Sequence, residues 1–120
     1  MLAIRRVPPQ DCTRKAIVEV EVASAKSDGR SWDPTGGAPD TAGTLYIGNA
    51  SYDLPRKEDA YSVRHELCGA TVNNGDLISV ELSDKDITNH DLIGSGKATY
   101  NGQTPLVIQA GQAKVSLTFK

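Results

Sequence analysis

Aromatic residues are scarce in this chain: one Trp, one Phe and four Tyr among 120 residues. A core built from it must rest on Val, Ile, Leu and Ala. Long apolar runs are missing too, and none approaches the roughly 20 residues that cross a bilayer as a helix. Charge of one sign is absent: 13 Lys and Arg stand against 15 Asp and Glu, a formal net charge of −2. That balance excludes the broad basic footprint of a nucleic-acid binder. It also argues against constitutive adhesion to anionic membranes, which usually needs a polybasic patch. Cysteine occurs twice, at Cys12 and Cys68, a spacing that fits neither a CxxC redox pair nor a zinc knuckle. The expectation is two separate thiols, as suits a reducing compartment, with a disulfide between them as the less favoured alternative. Residues 1–10 carry Arg5 and Arg6 with no apolar stretch behind them, which does not read as a secretory leader. The expected location is therefore cytoplasmic or at the membrane periphery.

What is present is enough for one folded unit. Apolar residues make up 38% and charged residues 23%, which allows a buried core under a soluble surface. The expected organisation is a single domain over residues 1–120, with residues 1–13 as an N-terminal segment available as an additional edge strand.

Strand signals dominate. In residues 15–25, KAIVEVEVASA, Val18, Val20 and Val22 alternate with Ile17, Glu19 and Glu21, the period of a half-buried strand. Short strands are expected at residues 44–47, 61–67, 77–82, 105–109 and 113–119. Residues 49–60 read as a connection because of Pro55 and the cluster Arg56-Lys57-Glu58-Asp59, with a frayed strand at 51–54. Residues 91–100 read as a short strand or turn broken by Gly94 and Gly96. Asn73-Asn74-Gly75-Asp76 is a turn signal and Asn101-Gly102 a hairpin signal, since Asn and Gly tolerate positive φ. Seven or eight strands, regular turns and no amphipathic helix predict an antiparallel eight-stranded Greek-key β-sandwich.

Two polar loops concentrate carboxylates. The first, residues 26–43, holds Asp28, Asp33 and Asp40; the second, residues 83–91, holds Asp84, Asp86 and Asp91. Clustered carboxylates repel one another unless a cation joins them, and Ca²⁺ takes six to eight oxygen ligands of this kind. The bland reading is turn chemistry, because Asp also caps its own backbone. Trp32 stands in the first loop, either as an exposed anchor for a membrane or partner or as a lid over the sandwich end. His90 adjoins Asp91, where a contact role sensitive to pH competes with plain solvation. Arg56 and Lys57, balanced by Glu58 and Asp59, read as a solvated surface. Asn49-Ala50-Ser51 fits a glycosylation sequon, which carries no weight without secretion. No nucleophile elbow, phosphate loop or metalloprotease motif is present, so an enzyme is not expected.

Residues 77–94, LISVELSDKDITNHDLIG, resemble the signature of C2 domains: an apolar strand, D-x-D, a short polar loop, a further Asp, then an aliphatic pair ending in Gly. Residues 32–47 look like the other half of that signature, and with its flanking strands the resemblance spans residues 15–100. Thr41-Ala42 stand where the family usually has Pro-Tyr. The resemblance implies Ca²⁺ ligands at Asp33, Asp40, Asp84, Asp86 and Asp91, with Asp28 as the alternative to Asp33 at the leading position. It also implies docking on phospholipid headgroups or on a protein partner, through loops at one end of the sandwich. The expected function is a calcium-binding module whose association with an anionic phospholipid surface is peripheral, not integral. The alternative is a calcium-independent protein–protein interaction or assembly domain.

Overall fold

The structure, a computed structural model, describes residues 13–25, 29–30, 32, 38–85 and 90–120, with the backbone alone at 85, 90 and 91. Among the described residues eight strands make up the fold: β1 (Lys15–Val22), β2 (Thr41–Ile47), β3 (Ala50–Lys57), β4 (Ser62–Cys68), β5 (Leu77–Lys85), β6 (His90–Thr99), β7 (Leu106–Ala110) and β8 (Ala113–Phe119). They form two antiparallel four-stranded sheets in the orders β4-β1-β8-β7 and β3-β2-β5-β6. The chain changes sheet between β1 and β2, β3 and β4, β4 and β5, and β6 and β7. The expected all-β antiparallel sandwich is what forms.

Alternation produces the core. On β1, Ala16, Val18, Val20 and Val22 are buried while Glu19 and Glu21 are exposed. Val115 and Leu117 of β8 share that inner face, opposite Val20 and Val18 in the β1–β8 register. Across the sandwich lie Leu45, Ile78, Val80 and Leu82, each at most 1% exposed. β-Branched and aliphatic residues fill the space between two pleated surfaces without large rings. Of the aromatic residues, Trp32 is buried in the core cluster, while Tyr100 meets Phe119 edge-on at its rim, with centroids 5.2 Å apart.

Three expectations are corrected. Residues 49–60 are not mainly a connection: β3 is a full strand of eight residues. It lies at a sheet edge, where Pro55 removes no ladder bond that a neighbour needs. Gly94 and Gly96 do not break β6, which runs for ten residues. A Cβ at Gly96 would collide with the Gln109 carbonyl oxygen and lie 2.8 Å from Ile108 Cγ2, so these glycines let β7 close the sandwich against β6. Asn101-Gly102 does not close a hairpin, because β6 and β7 belong to different sheets.

The thiol expectation is corrected as well. Cys68 is disulfide-bonded, and the chain's other cysteine is Cys12, which lies outside the described residues. In the antiparallel register Cys68 stands opposite Lys15, and the Gly69 amide donates to the Arg14 carbonyl at 2.7 Å. Spacing along the chain carried no trace of this approach.

Candidate functional site

Strand direction gathers the connections β1–β2, β3–β4 and β5–β6 at one end of the sandwich. The registers require it: Val22 lies opposite Ala113, Thr41 opposite both Lys57 and Asp84, and Asp84 opposite Asp91. Backbone bonds lace this end together. Val22 donates to the Tyr61 carbonyl at 2.7 Å, Ala60 to Pro39 at 2.9 Å, and Gln112 to Ile93 at 3.0 Å.

Asp84 is the most informative side chain here. The expected polar loop at 83–90 begins later than anticipated, since β5 runs on to Lys85 and buries Asp84 to 2% exposure. Its Oδ1 accepts the Asp40 amide at 2.8 Å. Asp40 Oδ1 in turn accepts the Asp59 amide at 2.9 Å, and Asp59 Oδ1 accepts the Ala38 amide at 3.0 Å. Asp59 adopts φ 52°, a left-handed conformation that Asp tolerates better than most residues. A chain of carboxylate-to-amide bonds thus ties the β1–β2 and β3–β4 connections to each other and to the end of β5.

The Arg56 guanidinium faces this chain. Its Nη2 lies 2.8 Å from Asp40 Oδ2, and its Nη1 lies 3.0 Å from Glu58. The guanidinium pKa is raised above its ordinary value, first by the bond to Asp40. Arg56 lies on the solvated surface, as expected, with its side chain 40% exposed, and to the expected balance with Glu58 the structure adds a pair with Asp40.

Of the sequence-derived ligand set, the structure brings Asp40 and Asp84 together and sets the Asp91 backbone on the strand beside Asp84. Asp28, Asp33 and Asp86 lie outside the described residues, and His90 and Asp91 are described by backbone only. Among the described residues no group of three or more His, Cys, Asp and Glu is arranged to hold a metal ion. The donors that are described suit a hard cation in kind, being carboxylate oxygens, one of them deeply buried. Trp32 is not an exposed contact. It is 2% exposed within the core cluster, and its indole Nε1 donates to the Ala23 carbonyl at 2.8 Å. Sequence reasoning missed Asp59 and Arg56 as partners of Asp40, because their mixed-charge run shows no periodicity and only the β2–β3 pairing and the turn after β3 bring them there. It also passed over Leu92, which is 68% exposed near the start of β6.

No known family's sequence model matches the chain, and no curated protein matches it in sequence. Solved structures do match in shape. A structure of a C2 domain superimposes with a TM-score of 0.61 at 14% identity, covering 89% of this chain and 97% of that one. A C2 domain protein from Ramazzottius varieornatus gives 0.56 at 15%, over 92% and 89%. A calcium-bound pair of C2 domains from Extended-Synaptotagmin 2 gives 0.54 at 17%, over 92% of this chain and 46% of that one. At such identities it is the fold that is shared, and this chain is a β-sandwich of the C2 type.

Proposed function

We propose that this domain is a calcium-binding module that docks on an anionic phospholipid surface through the loop end that carries Asp40 and Asp84. The observation that supports the reading is the Asp40 amide seated on the buried Asp84 carboxylate, which brings the β1–β2 connection onto the end of β5. Bound Ca²⁺ would draw its oxygens from Asp40 and Asp84, together with Asp33, Asp86 and Asp91 of the same two sequence stretches, and would turn an acidic rim positive toward phosphate oxygens. The exposed Leu92 adds apolar surface beside that rim. The near-neutral balance of the chain, −2 overall, fits association that waits for the ion. No helix of the described residues is long and apolar enough to cross a membrane. The Cys68 disulfide favours an oxidising setting over the reducing cytoplasm.

The test is co-sedimentation with vesicles of phosphatidylcholine and phosphatidylserine, in CaCl₂ and in EGTA, paired with thermal unfolding in the same buffers. A ligand at a hundred times its Kd stabilises the native state by about 2.7 kcal/mol, a melting shift of order 10 °C for a domain this size. Asp84→Asn keeps an acceptor for the Asp40 amide and removes the charge, so it should abolish both the shift and the pelleting. A shift without pelleting points to a protein partner. No response to millimolar Ca²⁺ in either assay rejects the calcium reading and leaves a calcium-independent interaction domain.

A further inference from the structure

We propose that Arg56 is the resident counter-cation of the loop end, and that a divalent cation entering there must displace its guanidinium from Asp40. The inference rests on the calcium reading above and adds what sets the ion's affinity.

The geometry is specific. Both oxygens of Asp40 are engaged: Oδ1 accepts the Asp59 amide at 2.9 Å and Oδ2 meets Arg56 Nη2 at 2.8 Å. The Asp40 side chain is 20% exposed and that of Arg56 40% exposed, so the pair sits at the mouth of the cluster, outside the buried Asp84. An amide bonded to Oδ1 leaves that oxygen able to accept again, since a carboxylate oxygen has more than one lone-pair direction. A guanidinium on Oδ2 is a different matter, because it brings a full positive charge to the place where a metal would bring two. Like charges at such separations repel strongly wherever water is partly excluded. Glu58 holds the other amino group of Arg56 at 3.0 Å and gives the guanidinium an alternative carboxylate on leaving Asp40. The arrangement has two settings. With the guanidinium on Asp40, one of the negative charges of the loop end is offset from within. With a divalent cation on Asp40, Arg56 retreats to Glu58 and its charge is added to the outer rim. Arg56 would then act twice, as a competitor that weakens ion binding and, once displaced, as a cation available to a phosphate.

Isothermal titration of CaCl₂ into the wild-type chain, Arg56→Gln and Arg56→Lys tests this. Arg56→Gln should bind Ca²⁺ about tenfold more tightly than wild type, the scale of one unit charge removed at close range. Arg56→Lys, which keeps the charge, should stay within about threefold of wild type by the same logic. Equal affinity of Arg56→Gln and wild type, or weaker binding by Arg56→Gln, overturns the proposal and leaves the calcium reading standing. Absence of binding by all three proteins at millimolar Ca²⁺ removes both. Should Arg56→Gln fail to fold, the wild-type chain still decides by NMR of the Arg56 Nε–H. The resonance should move on saturation with Ca²⁺, and a resonance unchanged at saturation rejects displacement.

Discussion

His65 shows how a single residue sets a pH limit on this domain. It lies on β4 opposite Val18 and is partly buried. Desolvation pushes its pKa below the ordinary imidazole value, Lys57 adds to that push, and Asp53 opposes it. The native state therefore prefers the neutral ring, and the unfolded chain binds the extra proton first. Stability is full above the unfolded value near 6.5. It falls as pH drops from there to the lower folded value, and does not fall further on this account. Urea unfolding at pH 7.5, 6.0 and 5.0 should show that decline, and His65→Gln should flatten it. A wild-type curve already flat across this range would mean the ring is solvated in both states. Glu66 acts at lower pH with the opposite logic. Its carboxylate pKa is lowered by Lys15 at 2.9 Å, so that support is present above the ordinary carboxylate range and lost on further acidification.

At the scale of elements, β6 carries the clearest lesson. Gly94 and Gly96 read as interruptions because glycine weakens a strand and marks bends. In the folded protein they are places where β7 passes so close that no side chain fits. Gly96→Ala should therefore cost about 1–3 kcal/mol through overpacking, a fall in melting temperature of roughly 4–12 °C. Thermal unfolding followed by circular dichroism checks this, and an unchanged midpoint would show that the β6–β7 seam can open freely. The same scale explains β3. Its sequence, ASYDLPRK, buries only Leu54 among its eight residues, so periodicity had little to report. Pairing with β2, not its own alternation, makes it a strand.

The whole molecule is closed at its N-terminal side by the Cys68 disulfide. Pairing with the only other cysteine, Cys12, encloses more than 50 residues of chain. A loop of that length restricts the unfolded state by about 4 kcal/mol on the chain-entropy account. Thiol titration of the unfolded, unreduced protein should find no free sulfhydryl, and reduction should lower the melting temperature by more than about 10 °C. Two titratable thiols in the unreduced protein would overturn the bridge. The calcium response belongs at this scale as well, because a cation bound between separate connections stabilises the sandwich end as a unit.

Much of this was legible before any coordinates. Val18, Val20 and Val22 announced their face by period two, as did Val115 and Leu117, because a half-buried strand writes its burial into its own alternation. The carboxylates of the two polar loops were visible as composition, and their resemblance to C2 domains pointed to this fold. What only the tertiary structure decided are the relations between residues far apart in the chain. Asp59 reaches Asp40 through the turn between β3 and β4, and Arg56 through the pairing of β3 with β2. Trp32 turns inward to the core and the Ala23 carbonyl, and Cys68 arrives beside the start of β1 by register. Local pattern reports which face of a strand is dry, since that depends on neighbours two residues away. Which strands become neighbours depends on how two sheets bury their faces together, and no local pattern contains that.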